Sequence, residues 1–192
     1  SVCQKVPAGP PALRQGTTAM NSEYDLVVIG SGPAGYVGAI RAAQLGMTVA
    51  VVEADAIGGI CANWGCIPSK AILHCAEVYD LAQARSGRAD CGIRAEAMTF
   101  DYGAIADKSQ RAAQRLSRGI EGLFRKNKIE VIRGIGRLAD GQTVLVKALA
   151  ESSAERAVHA RRILLATGSR PRLLPELEAD GQRILTSRHA LA

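Results

Sequence analysis

The feature that most restricts the fold is a run of glycines in a particular setting. Gly30-Ser31-Gly32-Pro33-Ala34-Gly35 spells G-x-G-x-x-G between a short apolar run, Tyr24 to Ile29, and an alanine-rich stretch, Pro33 to Leu45. The first run is β-branched and stops at glycine, as a buried parallel strand does. The second carries Ile40 and Leu45 on one side and is closed by Gly46, as a helix is. Thr48 to Val52 reads as a second buried strand. Strand, helix and strand within about 30 residues make a βαβ unit, whose crossover is right-handed. Such a unit commits the chain to a parallel sheet.

Each glycine has a separate use. The first permits a tight turn, the second lets a pyrophosphate approach the backbone, and the third allows close helix–strand packing. The helix start adds free N–H groups and the positive end of a dipole. Alone, the pattern is equally a ligand-free glycine turn. Glu53 follows at the end of the second strand, where an acid accepts ribose hydroxyl groups and disfavours a 2′-phosphate. Together these point to a dinucleotide, FAD or NAD rather than NADP.

After a glycine-rich loop, Pro68 to Ala84 reads as a helix broken at Ser86-Gly87, with Pro68 in its first turn. Asp101 to Asn127 carries Ile105, Ala112, Leu116, Ile120 and Phe124 at mostly helical spacings. Ile129 to Ile132 is strand-like. Gly136 to Leu149 alternates about an Asp140-Gly141 turn, a hairpin signal, and Ala157 to Ala160 adds a third antiparallel strand. Arg162 to Ala166 returns to a buried strand, ahead of Thr167-Gly168-Ser169. The expected class is α/β: a Rossmann-like dinucleotide-binding domain with a parallel sheet, helices and an inserted antiparallel β-meander.

The 192 residues suffice for one domain with a core. No apolar run approaches the roughly 20 residues of a membrane helix, so a membrane role is not expected. The net charge of +6 is spread over residues such as Arg111, Arg115 and Arg118. Few aromatics accompany them to stack bases, so a solvated helix face or a partner surface is expected rather than a nucleic-acid site. Residues 1–22, with Pro7, Gly9, Pro10, Pro11 and Gly16 and no period, read as a disordered or non-native leader. The fold is assigned to 23–192. Cys3, Cys75 and Cys91 read as unpaired thiols of a reducing compartment.

Gly58-Gly59-Ile60-Cys61-Ala62-Asn63-Trp64-Gly65-Cys66-Ile67-Pro68-Ser69-Lys70 is the chemically densest stretch. Two cysteines five positions apart straddle a helix start, where the dipole and exposed N–H groups lower a thiol pKa below its ordinary ~8.5. Flanking glycines let a flat ring or substrate come close. A redox pair accounts for all these features. Two buried thiols, a structural disulfide, or a zinc site completed by His74 and Cys75 remain alternatives; the last is a poor tetrahedral set, and no metal site is expected. Trp64 reads as a packing residue and His74 as a helix residue at the rim.

Gly59-x-Cys61-x-x-x-Gly65-Cys66-Ile67-Pro68-Ser69-Lys70, following the glycine motif, resembles the active site of the pyridine nucleotide-disulfide oxidoreductases. Its Cys66-Ile67-Pro68-Ser69-Lys70 ending is most similar to the dihydrolipoamide dehydrogenase branch. Ala166-Thr167-Gly168-Ser169-Arg170-Pro171 and Gly134-x-Gly136 also match the family. Ile60 and Trp64 depart from its usual residues, outside the thiol chemistry.

The resemblance implies an FAD-binding domain, with pyrophosphate along Gly30, Ser31, Gly32, Pro33, Ala34 and Gly35, and ribose on Glu53. It implies backbone near Gly136 on the adenine side, Thr167, Gly168 and Ser169 at the sheet end, and Gly59 and Lys70 beside the flavin. Cys66 would be the flavin-proximal, charge-transfer thiol and Cys61 the interchange thiol. The implied reaction oxidises protein-bound dihydrolipoamide through the disulfide and FAD to NAD+, with lipoyl domains of 2-oxo acid dehydrogenase complexes as partners. A homodimer is implied, in the bacterial cytoplasm rather than the mitochondrial matrix. The NAD and dimerisation domains, and a distal histidine base, would lie outside this sequence, leaving an incomplete FAD domain inactive alone. Glutathione or mercuric reductase chemistry, or a non-catalytic flavin-binding module, are the alternatives.

Overall fold

The structure is a computed structural model that describes residues 23–86, 97–149 and 155–191, together with 88, 90, 92 and 94. The expected leader (1–22), Cys3, Cys91 and the Gly87 helix break lie outside the described residues.

A four-stranded parallel sheet forms the centre, in the order β3-β2-β1-β7. Its strands are β1 (Leu26–Ile29), β2 (Val49–Glu53), β3 (Glu130–Arg133) and β7 (Ile163–Leu165). β1 pairs Leu26 with Val49 on one side and Val27 with Ile163 on the other. Val27, Val28, Ala50 and Val51 are fully buried, as strands covered on both faces should be.

Helix α1 (Pro33–Gln44) starts with Pro33 in its first turn and ends ahead of Gly46 at φ +86°. Its buried face is Gly35, Ala39 and Ala42, small enough to bring the helix down onto β1. Two helices follow β2: α2 (Gly59–Trp64) and α3 (Cys66–Arg85). The stretch expected as a glycine-rich loop is therefore a short helix, and the next helix begins at Cys66, ahead of the expected Pro68. Helix α4 (Tyr102–Lys126) is capped by Asp101, whose carboxylate accepts from the Ala104 N–H at 3.2 Å. Arg125 and Lys126 in its last turn suit the dipole. Ile120 and Phe124 from α4 are nearly fully buried beside Val28, Val51 and Ile57, each contributing roughly 1.5–3 kcal/mol of burial. Arg111, Arg115 and Arg118 lie on the exposed face.

The meander is β4 (Ile135–Leu138), β5 (Thr143–Lys147) and β6 (Glu155–His159), antiparallel in that order. At its turn, Asp140 accepts from the Gln142 N–H at 2.8 Å. Val144, Val146 and Val158 pack under the opposite face of the parallel sheet, against Val27, Ile29 and Val52. The chain ends in α5 (Ser187–Leu191), which packs on α2. The α/β class and the inserted meander are as expected. No helix among the described residues is long and apolar enough to cross a membrane.

Candidate active site

The parallel strands end at one edge, where Gly30 follows β1, Glu53 closes β2 and Thr167 follows β7. The carboxyl ends of parallel strands are where open α/β sheets bind ligands. Gly30 has φ +98°, and a Cβ there would sit 2.9 Å from the Ala166 carbonyl carbon. A Cβ on Gly35 would collide with the Gly30 carbonyl, whereas one on Gly32 would meet nothing within 4 Å. The first and third glycines thus close the turn, and the second faces open space. No side chain caps α1 and no acid occupies its first turn, which leaves the Ala34 and Gly35 N–H groups for an anion. Pyrophosphate fits that cradle.

Glu53 is only 8% exposed. One of its oxygens accepts from the Ser31 N–H (2.8 Å) and the Ser31 hydroxyl (2.5 Å), and the other from the Asp55 N–H (2.8 Å). A carboxylate offers about four acceptor sites. Three are filled by the protein, so one remains open.

Ser31 also joins the glycine turn to the cysteine segment. It is fully buried, and its carbonyl and hydroxyl accept from the Gly58 N–H at 3.1 and 3.2 Å. Gly58 and Gly59 both have positive φ, and a Cβ on Gly59 would lie 2.8 Å from the Gly32 Cα. That contact sets the start of α2 directly against the dinucleotide loop.

Cys61 lies in α2 and Cys66 opens α3, with Gly65 between them at φ −144°, ψ −115°. A Cβ on Gly65 would fall 2.8 Å from the Ile60 carbonyl oxygen, so the break needs glycine. Both cysteines are free thiols, Cys66 exposed and Cys61 half-buried. The Cys61 thiol is pushed up in pKa, first by its side-chain hydrogen bond to Cys66 and then by burial. The Cys66 backbone N–H and the Lys70 charge pull the other way. At Cys61, within α2 rather than at the start of α3, the neighbouring Cys66 side chain and burial outweigh the lowering influences.

Several residues hold this segment that sequence reasoning did not single out for that task. The Asn63 amide donates to the carbonyls of Ile57 (3.0 Å) and Gly59 (2.9 Å). The Ser69 hydroxyl donates back across the break to the Gly65 carbonyl at 2.7 Å. From α4, Ser117 donates to the Ile57 carbonyl (2.7 Å) and buried Ser109 to the Pro68 carbonyl (3.1 Å). Polar residues at buried positions of α4 were the available signal.

Trp64 is partly buried and does more than pack. The Arg188 guanidinium from α5 lies 4.1 Å above its ring centroid and pairs with Asp55 at 2.6 Å. Thr167, Gly168, Ser169 and Lys70 are exposed, with Thr167 beside Gly30 and Lys70 on α3. Gly136 stands apart from the thiols. A Cβ there would touch Val52 and Ile29 at 3.1 and 3.2 Å, so this glycine lets the meander pack on the sheet. His74 is exposed on α3, and Cys75 accepts from Lys108 Nζ at 3.5 Å. Among the described residues no group of three or more His, Cys, Asp or Glu is arranged to hold a metal.

The glycine cradle, the acid at the strand end and a thiol pair against them match one known pattern. Residues 24–192 match the family described as pyridine nucleotide-disulphide oxidoreductase. The chain belongs to that family of flavin- and pyridine nucleotide-using oxidoreductases. It is 43% identical over 177 residues to a protein of Chlorobaculum parvum named dihydrolipoyl dehydrogenase, covering 92% of this chain and 37% of that protein. It is 46% identical over 170 residues to dihydrolipoyl dehydrogenase 3 of Pseudomonas putida, covering 88% and 36%. A pea protein named dihydrolipoyl dehydrogenase, mitochondrial, is 39% identical over 183 residues, covering 94% and 36%. The chain thus spans little more than a third of the length of these relatives.

Proposed function

We propose that the chain is the FAD-binding, disulfide-bearing part of a dihydrolipoyl dehydrogenase, oxidising protein-bound dihydrolipoamide with NAD+ as final acceptor. The observation that carries this reading is the placing of Cys61 and Cys66 on either side of a tight helix break at Gly65, with the start of α2 packed against the glycine loop. Bound FAD would supply a two-electron carrier between the thiols and NAD+.

With the pair oxidised, a dihydrolipoamide thiolate attacks Cys61 Sγ, the Cys61–Cys66 bond breaks, and its electron pair stays on Cys66. The second substrate thiolate then attacks the lipoyl sulfur bonded to Cys61, closing lipoamide and releasing Cys61. The Cys66 side chain and burial raise the Cys61 pKa, which favours the protonated thiol once it is released. Gly30 to Gly35 would hold the pyrophosphate, and Glu53 would take one ribose hydroxyl. Gly136, Thr167, Gly168 and Ser169 would border the cofactor, with Gly59 and Lys70 near the flavin. The intact enzyme would also use an NAD site, an acid–base histidine and the contacts of a homodimer. Lipoyl domains of 2-oxo acid dehydrogenase complexes are the partners, in the cytoplasm of a bacterial cell.

The test is turnover of the intact protein with dihydrolipoamide and NAD+. Cys61→Ser and Cys66→Ser should each abolish it while FAD stays bound. Unimpaired turnover in either variant contradicts the assignment. Residues 1–192 alone should bring about no NADH-dependent lipoamide reduction.

A further inference from the structure

Trp64 and Cys61 share α2, and Trp64 is its last residue. Gly65 makes the break and Cys66 opens α3. A disulfide demands an S–S separation near 2.05 Å and a narrow range of backbone separations. Whether Cys61 reaches Cys66 depends on the angle between α2 and α3, and that angle turns at Gly65. Whatever holds Trp64 holds the half of this hinge that carries Cys61.

Arg188 is in that position. Its guanidinium lies 4.1 Å above the Trp64 ring centroid, a cation–π geometry. Its two terminal nitrogens reach the Asp55 carboxylate at 2.6 and 3.5 Å. An exposed ion pair by itself contributes little, but Asp55 is itself anchored. Its N–H donates to Glu53 at 2.8 Å, and its carbonyl accepts from Arg133 at 2.6 Å. The guanidinium is thus oriented from one side by a fixed acid while its flat face covers the indole.

We infer that Arg188 is a positioning residue for the thiol pair: by clamping Trp64 to Asp55 it holds the α2–α3 hinge at the angle from which Cys61 reaches Cys66. This rests on reading the pair as a redox couple, and adds what keeps that couple preorganised. Releasing the clamp gives the hinge more freedom, which disfavours intramolecular closure. The relevant exchange converts the dithiol and oxidised glutathione to the protein disulfide and two reduced glutathiones. Two electrons and both thiol protons pass to the glutathione sulfurs. Loss of the clamp lowers that equilibrium constant about threefold, a shift of about 14 mV toward the oxidising side.

The experiment equilibrates the intact flavoprotein with glutathione redox buffers and reads alkylation of Cys61 and Cys66 by peptide mass. Arg188→Gln and Trp64→Leu should each lower the constant about threefold, and the double variant no further. Arg188→Lys, which keeps a cation over the ring, should recover most of the wild-type value. A merely structural role would lower the melting temperature without this pattern. An Arg188→Gln constant equal to wild type, or additive effects in the double variant, overturns the clamp. If Arg188→Gln does not fold, Asp55→Asn carries the test: it should give the same fall, and a wild-type constant overturns the inference. A wild-type pair that fails to titrate overturns the redox reading itself, whereas a titrating wild type beside an unshifted variant overturns the clamp alone.

Discussion

Replacing Glu53 by Gln gives the sharpest account of how the dinucleotide loop is built. All three protein groups on this carboxylate are donors: the Ser31 N–H, the Ser31 hydroxyl and the Asp55 N–H. A carboxamide has one acceptor oxygen and one NH2, so it must turn the NH2 against a donor. Facing it toward Asp55 loses one bond and leaves the Ser31 pair on a neutral oxygen. Bonds to a charged group contribute about 1.5–3 kcal/mol and neutral ones about 0.5–1.5. Relief of a nearly buried charge offsets part of the loss, leaving a net destabilisation of about 2–3 kcal/mol. Both lone pairs of the Gln oxygen are then taken by Ser31, so no acceptor remains for the ribose. Losing that bond lowers FAD affinity roughly tenfold to a hundredfold. FAD titration of the deflavinated intact protein, followed by flavin fluorescence, measures it beside a thermal melt. Affinity within threefold of wild type would refute the reasoning that Ser31 and Asp55 fill all but one acceptor site of Glu53 and that FAD uses the last.

Cys66→Ala removes the first cause of the raised Cys61 pKa, so the pH profile of Cys61 alkylation in the reduced protein should move to lower pH; iodoacetamide rates against pH read the shift. Asp25 is held below its ordinary pKa first by the Thr48 N–H and then by the Thr48 hydroxyl. A depressed carboxylate stabilises above its unfolded pKa and loses that contribution as pH falls through the folded one. Asp25→Asn should therefore cost about 1 kcal/mol near neutrality, with the gap to wild type closing in acid, read by melts across pH. Ser109→Ala takes a donor from the buried Pro68 carbonyl. It should lower stability by about 1–2 kcal/mol and speed alkylation of Cys66, since α3 is then pinned less firmly to α4.

The sheet was legible because its central strands are short apolar runs rich in Val and Ile: Leu26–Ile29 and Val49–Glu53 are largely buried, whereas β7, expected as a buried strand, leaves Leu165 exposed. Gly30, Gly35 and Glu53 were legible because each answers one backbone or hydrogen-bonding need. Helix α2 was not. Six residues starting at Gly59 after a Gly58 cap have weak intrinsic helicity, and their support comes from Ser31 and Ser117, far off in sequence, and from the Asn63 side chain within the helix. The raising of the Cys61 pKa was not legible for a similar reason: a helix start is visible in sequence, but how closely Cys66 comes to Cys61 depends on how the Gly65 break folds back. Trp64 could be read as packing, whereas its cationic partner lies 124 positions away, at Arg188.

The most direct measurement of the central claim is anaerobic titration of the intact protein with dihydrolipoamide, following flavin absorbance and free thiols together, with NAD+ added at the end. The expected result is uptake of two electrons by the Cys61–Cys66 pair, a changed flavin spectrum, and NADH formation, all lost in Cys61→Ser. Flavin reduction that proceeds unchanged in Cys61→Ser, or a pair whose thiols never alter, would contradict it.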